Sequence, residues 1–304
     1  MANIRLRSPY YYQKEFAGAT TAELTLTIDG TVRYTITKPT DSQGGALFEI
    51  SELARDYIDV DFYGTYLPVT IDIVSTFKFY DAENVLIKTY IETDYGFDGY
   101  GEFKDGSNPK ILSNALLQSN TQIYLPENTT GKVPTELNND IIYNTITSTA
   151  VGNVTVGNHT IKVNRVCEPK YSPIKITFVN KFGALQDIWF FKKTTESINV
   201  QKDRYKKNIL NSLGQYSVFK HSENVLNTTA REVFTSNTGF VNELMNESFK
   251  ELMLSEKVWA TINGIVNPVV INSSQLQYKT SLNDKLINYT IEFEYAFDLI
   301  NSIR

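Results

Sequence analysis

The sequence predicts a mainly β protein with two β-rich domains. These are a β-sandwich or immunoglobulin-like N-terminal part and a C-terminal α+β module with one amphipathic helix on antiparallel strands. Three observations carry that reading. The 19 Tyr and 17 Phe outnumber 9 Pro, and aromatic side chains suit a pleated, half-buried surface. Asp29-Gly30 and Asn263-Gly264 each separate apolar runs, and such pairs supply the positive φ angles of a type I′ hairpin turn. One stretch, Phe240–Leu254, repeats its apolar residues at helical spacing.

In chain order, Ala22, Leu24, Leu26 and Ile28 alternate with polar residues up to Asp29-Gly30, and Val32, Tyr34 and Ile36 continue the pattern beyond it. That is a hairpin with one face on a core. Leu47–Ile58 reads as a short strand and one or two helical turns, with Ser51 as N-cap. Val69–Tyr80 and Val85–Asp94 form a second hairpin, in which Ile87 and Ile91 answer Val69, Ile71 and Ile73. Residues 1–103 make up the N-terminal domain. Lys104–Asp140 has three prolines and little periodicity, so it is expected as an extended arm or linker.

The C-terminal domain covers residues 141–304. Gly157-Asn158 joins a short hairpin there, and Ile174–Val179 pairs with Asp187–Lys193. The amphipathic helix spans residues 240–254, capped by Thr238 or Asn237. Val258–Ile262 and Ile265–Ile271 pair next, and Pro268 places the second strand at an edge or a bulge. Leu276–Thr280 leads through residues 282–284 to an unbroken alternation over Ile287–Phe297.

Composition narrows function. The 29 Lys+Arg against 34 Asp+Glu leave a net charge of −5, the wrong sign for a dedicated nucleic-acid binder. A single cysteine, Cys167, excludes an internal disulfide framework and is expected as a buried, inert thiol. No apolar run is long enough to span a bilayer. His159 falls in a hairpin turn and His221 in a polar stretch, both positions typical of surface histidines. Asp94 and Asp98 sit beside aromatics, and Asp56, Asp59 and Asp61 form an acidic run. Glycoside hydrolysis needs only two such carboxylates, but acidic clusters belong more often to a solvated face. No catalytic, cofactor or metal residues are assigned.

Two further patterns have open readings. Tyr95–Phe103 alternates rings and glycines; Tyr95, Phe97 and Tyr100 are the candidate residues for stacking on a sugar, and the plainer alternative is a close backbone crossing with the rings as core. Lys192, Lys193, Lys202, Arg204, Lys206 and Lys207 form a basic run that could meet nucleic acid; with Glu196 and Asp203 interleaved, it reads rather as a solvated face or an intersubunit salt-bridge strip.

Arg7-Ser8-Pro9-Tyr10-Tyr11, the segment Glu168–Phe191 with its Asn180-Lys181-Phe182-Gly183-Ala184 turn, and Asn237–Ser255 running on to Tyr289–Phe297 together resemble structural proteins of tailed bacteriophages infecting Bacteroidota, the crAss-like phages included. The resemblance implies a non-enzymatic virion component of the neck or tail, made in the host bacterial cytoplasm. It would form a homo-oligomeric ring, sixfold or twelvefold, that continues the DNA conduit or docks other tail components. DNA would then be passing cargo, and the partners would be copies of itself and neighbouring neck or tail proteins. The alternative is a carbohydrate- or receptor-binding tail protein.

Overall fold

The computed structural model describes residues 1–167, 170–277 and 286–300. The chain is mainly β, with 52% of residues in strands and 7% helical, distributed over several sheets.

The N-terminal elements are β1 (Asn3–Arg5), β2 (Tyr11–Glu15), β3 (Thr21–Ile28), β4 (Thr31–Pro39), β5 (Gly45–Glu49), α1 (Ser51–Arg55), β6 (Ile71–Tyr80), β7 (Leu86–Phe97) and β8 (Lys110–Ile111). Six of the strands make one sheet in the order β4-β3-β6-β7-β1-β8, and β2 pairs with β5 in a separate ribbon. Asp29 and Gly30 adopt φ of 47° and 73°, as the hairpin turn requires. Ala22, Leu24, Leu26 and Ile28 are each 0% exposed and pack with Ile73, Phe77, Phe79, Phe48 and Ala54. The inner face of the sheet is thus closed by the ribbon and α1.

Two details differ from expectation in this part. Ile91 lies opposite Thr76 on the outer face and is 65% exposed, because the inward positions of β7 fall on Tyr90, Glu92 and Asp94. Helix α1 is capped by Glu49, whose carboxylate accepts from the backbone N–H of Ser51 (2.8 Å) and Glu52, so Ser51 is not the cap.

Residues 104–140, expected as an extended arm or linker, are folded. They carry β8, β9 (Gln122–Pro126) and β10 (Thr130–Leu137), and reach the start of β11 (Asp140–Thr147). Leu117, Leu125 and Val133 are buried, and Glu136 accepts from Asn3, Asn114 and Asn139, so the segment is anchored by both packing and hydrogen bonds. The prolines do not prevent this. Pro126 ends β9, and Pro134 tolerates its place because β10 pairs with β11 alone in a two-stranded sheet. Next, β12 (Gly152–Val156) and β13 (His159–Val166) form the expected hairpin, with β9 parallel to β13.

The last part contains β14 (Ile174–Val179), β15 (Leu185–Phe190), β16 (Thr195–Lys206), β17 (Glu223–Asn237), β18 (Val241–Asn242), α2 (Asn246–Met253), β19 (Val258–Ile262), β20 (Ile265–Ile271), β21 (Leu286–Ile287) and β22 (Thr290–Tyr295). Seven of these strands form a sheet in the order β15-β14-β19-β20-β22-β17-β16. Phe249, Leu252 and Met245 seat the helix on a core of Phe178, Phe190, Phe234 and Phe293. The expected helix over 240–254 is shorter, since Val241–Asn242 pairs as a strand with β21 and Glu243–Met245 is a 3-10 turn. The Asn242 side chain accepts from Leu244 N (2.9 Å) and caps that turn, leaving Phe240 and Leu244 on the surface. Pro268, expected at an edge or a bulge, lies in the interior strand β20; it precedes the ladder with β22, and its carbonyl accepts from Ala296 N. Most of the strand expected over Leu276–Thr280, and the turn at 282–284, lie outside the described residues.

Candidate functional site

The aromatic-glycine segment is a crossing point rather than an open platform. Phe97 is 0% exposed in a cluster with Ile111, Leu117 and Ile141, while Tyr95 and Tyr100 are half-buried. The Arg7 guanidinium sits over the Tyr100 ring, 5.1 Å from its centroid. Gly99 meets the turn at Lys181–Gly183: a Cβ on Gly99 would stand 2.6 Å from the Lys181 carbonyl oxygen, and one on Gly183 would stand 2.7 Å from Asp98 N. Gly183 also has φ of 84°. Buried Asn180 organises this turn. Its Oδ1 accepts from Phe182 N and Ala184 N, and its Nδ2 donates to Leu117 O and the Gln186 side chain. Two distant loops therefore interlock through backbone contact that only glycines admit.

Beside this interlock lies a cluster of charges that the sequence did not signal, because its members are far apart in the chain. Lys250 on α2 bonds Glu102 (2.9 Å) and Glu247 (2.6 Å), and these bonds hold it protonated above its ordinary range although burial opposes the charge. The hydrogen bond from Lys250 in turn holds the Glu102 carboxyl down at about 2. Glu251, 0% exposed, is pushed up by burial, with Lys181 Nζ 4.0 Å away. Ser119 and the Lys181 backbone stand near its carboxylate without completing a well-formed hydrogen bond. Arg5 bonds the Tyr100 carbonyl (3.2 Å) and Asp105 (3.3 Å) and stacks on Phe182. Under α2, Ser248 accepts from Asn120 and Gln186. The cluster fixes α2 and the N-terminal sheet in one orientation.

The remaining candidates are separate from it. Asp94 is buried and accepts from Ala2 N (2.7 Å) and Tyr12 Oη, a structural role. Asp98 is raised by burial, opposed by Arg7 and Arg55. Asp59 and Asp61 face Lys257, whereas Asp56 ends α1. His159 bonds the Asn114 carbonyl (2.8 Å), and His221 is exposed. Cys167, expected buried, is exposed just past the end of β13. Among the described residues, no group of His, Cys, Asp or Glu is placed to hold a metal ion, and no helix is long and apolar enough to cross a membrane.

The most distinctive surface is the β16–β17 hairpin. Every residue of β16, 12 in all, is exposed. Beyond Val233, the last β22 partner on the outward side, β16 and β17 continue their ladder as far as Lys206↔Glu223, and the Ala230 carbonyl accepts from Leu299 N (2.8 Å). Beyond that contact, six residues of β16, Gln201–Lys206, project by roughly 20 Å at 3.3 Å each. At the tip, Leu213, Tyr216, Val218 and Phe219 are 79%, 65%, 79% and 92% exposed. Lys202, Arg204, Lys206 and Lys207 from the basic run ride on this arm, and β16 is the open edge of its sheet. No protein family, curated protein or solved structure matches the chain.

Proposed function

We propose that the chain is a non-enzymatic structural protein of a virion, assembling with copies of itself into a ring in the neck or tail of a tailed phage. In this reading the ring is sixfold or twelvefold and continues the DNA conduit or docks other tail components. The N-terminal part serves as a sandwich-like body and the C-terminal part as the α+β module that carries the arm. The observation behind the proposal is the β16–β17 hairpin: a long exposed edge strand ending in uncovered aromatic and aliphatic side chains. Large apolar side chains exposed together on one loop suit an interaction site, and an open edge invites strand addition. The phage assignment rests on the sequence resemblance.

Negative-stain electron microscopy over a concentration series tests the assembly reading. Closed rings or stacked tubes are the expected result, with the symmetry read by counting. Particles of monomer size at every concentration would contradict self-assembly into a ring.

A further inference from the structure

The chain presents a second feature that complements the arm. Between residues 119–121 and the start of α2 lies a groove of about 620 Å³, in which Leu244 is 59% exposed and Glu243 and Glu247 supply negative charge. Glu247 pairs with Lys250 yet keeps 47% of its side chain exposed. The arm has the opposite character. From Lys202 to Glu223 it carries Lys202, Arg204, Lys206, Lys207 and Lys220 against Asp203 and Glu223, a net +3, in a chain whose total is −5, so the remainder is −8.

We propose that the tip of the arm seats in this groove on a second copy of the chain, with Phe219 and its apolar neighbours against Leu244 and the tip lysines facing Glu243 and Glu247. The proposal deepens the assembly reading above and rests on it.

The tip does not occupy the groove of its own chain, since Phe219 is 92% exposed and Leu244 59% exposed. Strand β17 is 15 residues long, so its tip end stands about 45 Å from Asn237. Asn242 follows five residues later, a span of at most about 18 Å even fully extended. The outer end of β17, Glu223, therefore stands at least about 25 Å from Asn242, and the pairing from Thr195 to Lys206 holds the two strands of the arm together. A contact from tip to groove uses two different surfaces, so it repeats head to tail and either closes into a ring or propagates. Apolar anchors inside a charged rim are also the arrangement in which a few side chains dominate affinity.

The test uses the full-length chain carrying Cys167→Ser, with Phe219→Asp at the tip and Leu244→Asp in the groove as separate variants. Both positions are exposed, and unchanged thermal melting checks that each variant folds. Sedimentation velocity over a concentration series should show self-association of the parent weakened about tenfold or more in either variant. Mixing a Phe219→Cys protein with a Leu244→Cys protein and a short bis-maleimide should give a two-chain product that neither gives alone. Assembly that persists unchanged in both variants would overturn the docking and leave the ring reading standing. A parent that stays monomeric at all concentrations would overturn both. Tip-dependent flotation with anionic lipid vesicles, without self-association, would overturn the docking in favour of a lipid surface.

Discussion

Two hairpins of this molecule share a covalent plan and differ in what holds them. In β3–β4, a two-residue Asp29-Gly30 turn joins β4, mostly exposed, to β3, whose inward side chains from Ala22 to Ile28 are 0% exposed. In β16–β17, a loop of 16 residues, 207–222, joins longer strands, and β16 buries nothing. The first hairpin is stabilised by the core it closes. Among the described residues, the second is held to the rest of the chain at its root, where Arg231 bonds Glu294 (2.9 Å) and Asp298 (2.7 Å), Ala230 O accepts from Leu299 N and Phe234 stacks on Phe293. On the assembly proposed above, the length that this hairpin keeps without burial serves contact with another chain.

The largest expected effect sharpens the body side of that comparison. Gly183→Val places a branched side chain at a positive φ and against the Asp98 backbone, so it should cost about 4 kcal/mol in urea unfolding and loosen both loops. Next, Leu26→Ala should cost about 3 kcal/mol, whereas Ile198→Ala on the arm should change monomer stability by less than about 0.5 kcal/mol. Equal costs at the two sites would break the comparison.

The charge cluster gives two smaller, pH-dependent effects. The folded-state value of Glu102 is depressed to about 2 from 4.5, so its contribution is present above 4.5 and lost as pH falls toward 2. Glu102→Gln should therefore cost about 1–2 kcal/mol at pH 7, with solvent screening limiting the effect, and should flatten acid unfolding between pH 4.5 and 2. Glu251 has the opposite sign. Its folded-state value is raised, so the folded chain holds a proton that the unfolded chain releases, and stability falls as pH rises above the ordinary glutamate value. Glu251→Gln should remove that loss and raise stability at pH 8 by about 1 kcal/mol, read from melting curves across pH.

How much of this was legible in the sequence follows from the same contrast. The hairpins at Asp29-Gly30, Gly157-Asn158 and Asn263-Gly264 were readable because turn chemistry and one-sided burial act together on adjacent residues. The β16–β17 hairpin has no such signal, because with neither face of β16 buried there is little apolar alternation in its sequence. Ile198 and Val200 were its faint trace. The segment 104–140 misled through its prolines, which β9 and β10 accommodate at a strand end and in a two-stranded sheet. The interlock was half legible: the glycines of Tyr95–Phe103 implied close backbone approach, but not that Lys181–Gly183 would be the partner. Glu102, Lys181 and Glu251 meet only through tertiary folding, and no local pattern announces them.

The central claim is that the arm lacks its partner within one chain and finds it in another. Amide hydrogen exchange across a concentration series tests this most directly, because both hairpins report in a single experiment. The account predicts slow, concentration-independent exchange in Thr21–Ile28, and fast exchange in residues 207–222 of the dilute protein that slows as concentration rises. Exchange in the arm that is the same at every concentration would contradict it.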